Sequence, residues 1–146
     1  MRLNLQTDFA LRMLMFLAAE KRQASVEEIA DAYGISRNHL TKVARQLADM
    51  ELVVARRGRG GGIELAQPPE TIAVGRVVRH MESLAGFVEC FDPRTNGCPV
   101  AGVCGLQGVL RLALEDFLAR LDGYTIADLL PRPDRFLQAL DMPGSG

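Results

Sequence analysis

The chain has no run of about twenty apolar residues, so nothing in it reads as a membrane span. It also lacks the charged, then apolar, then small-residue pattern of a secretory leader. It opens on an amphipathic segment, and the expectation is a cytoplasmic protein. No glycine-rich nucleotide loop sits between a strand and a helix, and no serine or cysteine triad signature is present, which speaks against an enzyme. No internal repeat is visible. Cysteine is scarce: there are three, all between Cys90 and Cys104. An odd count in a reducing compartment argues for metal or redox chemistry rather than a disulfide framework.

What is present suffices for one domain with an appendage. The 146 residues are 48% apolar and 24% charged, enough for a modest core. Net charge is −1, but residues 36–62 hold six Lys/Arg against two Asp/Glu. A basic strip on a near-neutral chain suits a polyanion-binding face. Taken alone, a solvated charged turn accounts for it equally well.

Residues 5–19 are apolar almost all round, with Phe9, Met13, Phe16 and Leu17 on one stripe and Ala10, Leu14 and Ala18 on the next. That pattern predicts a buried helix. Asp8 falls in its first turn, where a carboxylate suits the helix dipole. Ser25-Val26-Glu27-Glu28 is a capping box for a short helix that Gly34 ends. Ser36 starts a second helix with Leu40, Val43, Ala44 and Leu47 inward. Two helices joined by Tyr33-Gly34-Ile35 make a helix-turn-helix.

The apolar runs Leu52–Ala55 and Ile63–Ala66 flank Arg56-Arg57-Gly58-Arg59-Gly60-Gly61-Gly62, a hairpin with an arginine-loaded tip. Gln67-Pro68-Pro69 ends the module. The expected division is therefore 1–66, a winged helix-turn-helix DNA-binding domain, and 67–146, a cluster-binding loop and dimerisation region. In the second part Thr71 is expected to cap a helix with Ile72, Val74, Val77, Val78 and Met81 inward. Helical spacing then runs from Gly105 to Leu121, Gly123 ends it, and Thr125 caps a short helix. The tail after Pro131 is expected to be loosely held. The predicted fold class is mainly α: a winged helix-turn-helix, a cysteine loop and a long dimerisation helix.

The second helix of a helix-turn-helix enters the major groove, and its N-terminal residues reach base edges. Here those are Ser36, Arg37, Asn38, His39, Thr41 and Lys42. Arg pairs with guanine and Asn with adenine, while Lys more often holds phosphate. Arg56, Arg57 and Arg59, with Gly60 beside them, can reach phosphates or a minor groove. The helix and the hairpin in this order predict binding to double-stranded DNA.

The spacing of Cys90, Cys98 and Cys104 is C-x7-C-x5-C. Zinc sites favour closely spaced cysteine pairs, which these gaps do not match. A disulfide would leave one thiol over. Three small buried hydrophobes would not need the turn-forming residues between them. An iron–sulfur cluster takes soft thiolates from a long loop and normally has four ligands. Three thiolates leave one iron to a weaker ligand, which suits a sensor better than an electron carrier. Candidates for that ligand are Asp8, Glu89, Asp92, His80 and Gln107.

These pieces resemble the bacterial winged-helix regulators that carry an iron–sulfur cluster in a dimer, and among them the nitric-oxide-sensing repressors. The resemblance covers about residues 1–130. It rests on Thr7–Arg12, Gly34–Leu40, Arg57–Gly62, Val88–Pro93 with Cys98 and Cys104, and Tyr124–Leu129. It implies a homodimer on a pseudo-palindromic operator, holding a [4Fe–4S] cluster through Cys90, Cys98 and Cys104. It also implies that Asp8 of the other subunit supplies the fourth ligand. Nitric oxide would nitrosylate the cluster and release DNA.

The cluster-biogenesis regulator of this family has a histidine where Gln107 stands, which weakens a [2Fe–2S] reading without removing it. The iron-responsive rhizobial relative shares the cysteine spacing but differs at Ser36-Arg37-Asn38-His39. Iron or cluster status is therefore the alternative signal.

Overall fold

The computed structural model describes residues 1–141; the last five residues of the 67–146 region lie outside the described residues. Among the described residues six α-helices and one hairpin follow in order: α1 (Leu5–Glu20), α2 (Val26–Tyr33), α3 (Arg37–Asp49), β1 (Val53–Arg56), β2 (Gly62–Leu65), α4 (Val74–Met81), α5 (Gly105–Asp122) and α6 (Pro133–Asp141). The fold is the mainly helical winged helix that the sequence predicts.

α1 is buried along most of its length, from Ala10 through Ala19 on its inward faces, and packs on α3, α4 and α6. The Asn4 side chain caps it by accepting from the Gln6 N–H at 2.7 Å. The Ser25 hydroxyl caps α2, accepting from the Glu28 N–H at 3.0 Å. Only half of the expected capping box forms, because the Glu28 carboxylate turns to the Arg22 guanidinium. That hydrogen bond holds the carboxyl of Glu28 below the usual range. Gly34 closes α2 at φ +66°, a left-handed conformation that costs glycine little. α3 buries Leu40, Val43, Ala44 and Leu47, the four residues its periodicity predicts.

β1 and β2 pair antiparallel, with Val53 opposite Leu65 and Arg56 opposite Gly62. Ala24, between α1 and α2, adds a bridge to Ile63 with bonds of 2.8 and 2.9 Å. The approach is so close that a Cβ on Gly62 would collide with the Ala24 carbonyl. The wing is thus fastened to the helix-turn-helix at its base.

Two expectations for the second part are corrected, and the short helix after Thr125 is seen as a single turn. Thr71 does not cap α4: its hydroxyl donates to the Pro68 carbonyl at 2.7 Å, inside a 3-10 turn, Pro69–Thr71. Residues 72–74 instead run extended beside 124–126, through Val74 N–H to Tyr124 O (2.8 Å) and Ile126 N–H to Ile72 O (2.9 Å). The segment after Thr125 is one 3-10 turn, Ala127–Leu129, with Thr125 and Asp128 capping each other. The tail is not loose up to Asp141: it forms α6, whose Phe136, Leu137 and Leu140 pack against the core beside α1 and α2. Pro133 suits a first helical position, and the spacing of those apolar residues puts them on one face.

The buried cluster runs continuously from α1–α3 through α4 to Leu118, Ile126 and Leu130. α5 packs on α4 but buries only Leu118 fully. Leu106, Val109 and Leu112 stay 61%, 62% and 63% exposed, a long apolar face without a partner among the described residues.

Candidate nucleic-acid interface and metal centre

Ser36, Arg37, Asn38, His39 and Lys42 are exposed at the start of α3, and Thr41 is half-buried among them. The Thr41 hydroxyl donates back to the Arg37 carbonyl at 2.9 Å. The Arg37 guanidinium stands 3.7 Å from Glu27 on α2. The His39 ring stacks on Phe9 of α1, with ring centres 6.3 Å apart. His39 and Lys42 share an open cleft of about 640 Å³ with Arg2, Asn4, Gln6 and Phe9. Arg2 therefore extends the basic face; its charge was visible in the sequence, but its place beside Lys42 was not.

At the wing, Arg56 is tied to Glu64 across the hairpin at 2.7 Å. Among the described residues Arg57 and Arg59 enter no ion pair. They are the arginines at the tip available to phosphate, and Gly60 lies exposed between them and β2. The Gln23 amide donates to the Gly60 carbonyl and so pins the tip. No sequence signal marks Gln23, since the contact joins residues 37 apart. Arg37→Ala is expected to weaken specific binding by about 1–3 kcal/mol while leaving the salt dependence nearly unchanged, as loss of a base contact does. Fluorescence anisotropy on operator and scrambled duplexes checks it; equal loss on both would make Arg37 a phosphate contact.

The thiol loop follows α4 and consists of 3-10 turns, Leu84–Gly86 and Glu89–Phe91, and tight bends. Glu89 accepts from the Gly97 N–H at 2.8 Å, and Asn96 from the Cys98 N–H at 2.9 Å. Cys104 is the N-cap residue of α5 and makes no side-chain cap bond; no acidic residue follows in the first turn. All three thiols are unpaired and half-buried. The structure strings them along one fastened loop at the start of α5 but does not gather them into a closed group. Among the described residues no set of three His, Cys, Asp or Glu stands close enough to hold a metal ion.

The other candidate ligands have different partners. Asp92 is gripped by Arg94 at 3.0 and 3.1 Å, which holds its carboxyl below the usual range. Glu89 is engaged by Gly97. His80 lines a separate cleft with Asp49, Glu51 and Arg76. Gln107 donates to the Cys90 carbonyl at 3.0 Å. Asp8 lies on α1, in a forked ion pair with Arg12 at 2.8 and 3.1 Å. Arg12 also lies over the rings of Phe9 and Tyr33 at 5.9 and 5.8 Å. Burial raises the Tyr33 hydroxyl pKa above its ordinary value, and that hydroxyl donates to the Arg12 carbonyl at 2.9 Å.

The donor set fits an iron–sulfur cluster. Such clusters take thiolates, and these three thiols are unpaired and only half-buried, on the loop that runs into α5.

Comparison with known proteins gives a consistent picture. A family model described as Rrf2, iron-dependent transcriptional regulator, matches residues 3–132. The HTH-type transcriptional regulator NsrR of Bacillus subtilis (strain 168) is 45% identical over 144 residues, covering 97% of this chain and 99% of that protein. NsrR of Halalkalibacterium halodurans is 45% identical over 142 residues, covering 96% and 97%. Among solved structures, T. potens IscR superposes with a TM-score of 0.71 at 23% identity, covering 93% of this chain and 90% of its own. CymR of B. subtilis superposes with a TM-score of 0.70 at 20% identity, covering 88% and 95%. At those identities the two structures speak for the fold alone.

Proposed function

The chain belongs to the Rrf2 family of iron-dependent transcriptional regulators, and from that membership we propose that it acts as a homodimeric, cytoplasmic repressor of the NsrR type. It is a transcriptional regulator and not an enzyme. The repressor binds a pseudo-palindromic operator, senses nitric oxide through a [4Fe–4S] cluster, and releases DNA when the cluster is nitrosylated. Cys90, Cys98 and Cys104 would hold the cluster, and Asp8 of the other subunit would supply the fourth ligand. The observation that carries this reading is the placement of three unpaired thiols on a loop fastened to the start of α5, whose outer face is apolar and exposed.

When bound, the cluster supplies an iron whose weakest ligand a small molecule can displace. The protein's part is to make that ligand matter. Asp8 and Phe9 are consecutive on α1, and the Phe9 ring lies against His39 of the reading helix. Arg12 competes for the Asp8 carboxylate and touches Phe9 as well. With Asp8 engaged by the neighbouring subunit, α1 and α3 keep one arrangement. With Asp8 returned to Arg12, a second arrangement is favoured. This is a population shift between two dimer geometries, driven by differential ligation. Two reading helices spaced about one DNA turn apart must move together for both half-sites to be read.

A second reading, iron or cluster status as the signal, draws on the family's description as iron-dependent. Purification without oxygen tests the cluster itself. The protein should be brown, with iron and sulfide in equal amounts; a colourless protein with one zinc per chain would overturn both readings. Asp8→Ala is expected to keep the colour but alter the absorption spectrum and speed the reaction with nitric oxide. An unchanged spectrum and rate would remove Asp8 from the ligand set.

A further inference from the structure

Gln107 and Arg111 stand four apart on one face of α5, in the turns that follow its N-cap residue Cys104. That face lies opposite the exposed one centred on Val109. Both reach across the loop. The Gln107 amide donates to the Cys90 carbonyl at 3.0 Å. The Arg111 guanidinium lies 4.6 Å from the centre of the Phe91 ring, in cation–π contact. Phe91 in turn stacks on Phe87 at 5.9 Å. The two contacts grip consecutive residues, Cys90 and Phe91, of the 3-10 turn Glu89–Phe91. Among the described residues no backbone hydrogen bond joins that turn to α5. Side chains alone fasten it there.

We infer that Gln107 and Arg111 are positioning residues that hold Cys90 at the start of α5, where Cys104 stands. The inference rests on the cluster reading above and deepens it. Without the clamp, Cys90 belongs to a short turn in an exposed loop, and ordering it on cluster binding costs conformational entropy. With the clamp, part of that ordering is complete beforehand, and the cluster is retained longer. The hydrogen bond ties Gln107 to Cys90 directly. Its N–H donates to the Cys90 carbonyl, so in this reading it acts on the cluster through Cys90.

Three variants separate these roles. Gln107→Glu keeps the length but cannot donate, and Arg111→Ala removes the cation, while Arg111→Lys retains one. Amide hydrogen exchange is measured on the full-length, metal-free chain over residues 89–91, and iron release to a chelator on the cluster-loaded protein. Gln107→Glu and Arg111→Ala should each speed both by about fivefold, the scale of one hydrogen bond or cation–π contact. Arg111→Lys should stay near wild type, and all three should melt as wild type does, since neither residue belongs to the buried core. Unchanged exchange in both Gln107→Glu and Arg111→Ala would overturn the inference, as would slower iron release in Gln107→Glu, the result expected of a carboxylate acting as ligand. If no variant and no wild-type protein takes up iron, the cluster reading fails, and exchange in the metal-free chain still decides the clamp.

Discussion

Cys98→Ala should leave a folded protein that holds no iron and no longer controls its operator. Cys98 lies midway along the loop, between the turn that carries Cys90 and the helix start that carries Cys104. Its backbone is held by Asn96 through the N–H, a bond the substitution keeps. No cysteine belongs to the buried core, so the melting temperature should move by no more than an exposed-loop change does, within about 0.5 kcal/mol. The cluster has no such margin. With two thiolates and a carboxylate it is short of the ligands it normally needs. Iron and sulfide analysis, a thermal melt and an operator-binding assay together read the outcome. Normal iron content with normal regulation would remove Cys98 from the ligand set.

Val109→Glu should convert the dimer to a monomer and lower operator affinity by about a thousandfold or more, toward the non-specific level. Val109 stands at the centre of the exposed apolar face of α5, between Leu106, Leu112 and Phe117. In a two-fold seam one substitution enters twice, and each copy places an unpaired carboxylate against apolar surface. The valine lies outside this chain's core, so the monomer should still fold. Sedimentation and anisotropy on whole and half operators check it. A dimer of undiminished stability would put the seam elsewhere.

The sequence made local features legible and missed contacts between distant residues. The inward stripe of α3, the Ser25 cap, the Gly34 turn and the extent of α5 follow from spacing and capping chemistry within a few residues. The exposed face of α5 was legible as apolar periodicity, although periodicity alone cannot tell a core face from a subunit seam. The Ala24 bridge to Ile63, the pairing of 72–74 with 124–126, and the grip of Gln23 on Gly60 leave no local trace. Thr71 was misread for that reason: Ile72 is drawn into extended pairing, which delays the helix to Val74. α6 was missed because its prolines suggested a loose tail, whereas Pro133 opens the helix. At the thiol loop the spacing pointed to the three thiols proposed as ligands. It could not show that Arg12 grips Asp8, or that Gln107 faces Cys90 as a donor.

The most direct test of the central claim is to titrate the cluster-loaded dimer with nitric oxide, without oxygen, while following operator binding and cluster absorption together. The account predicts that DNA release tracks the loss of the cluster spectrum, at a few nitric oxide molecules per cluster. It also predicts that an iron chelator, over the same period, leaves the complex largely bound. DNA binding that persists through complete reaction with nitric oxide, but is lost on iron chelation, would contradict it.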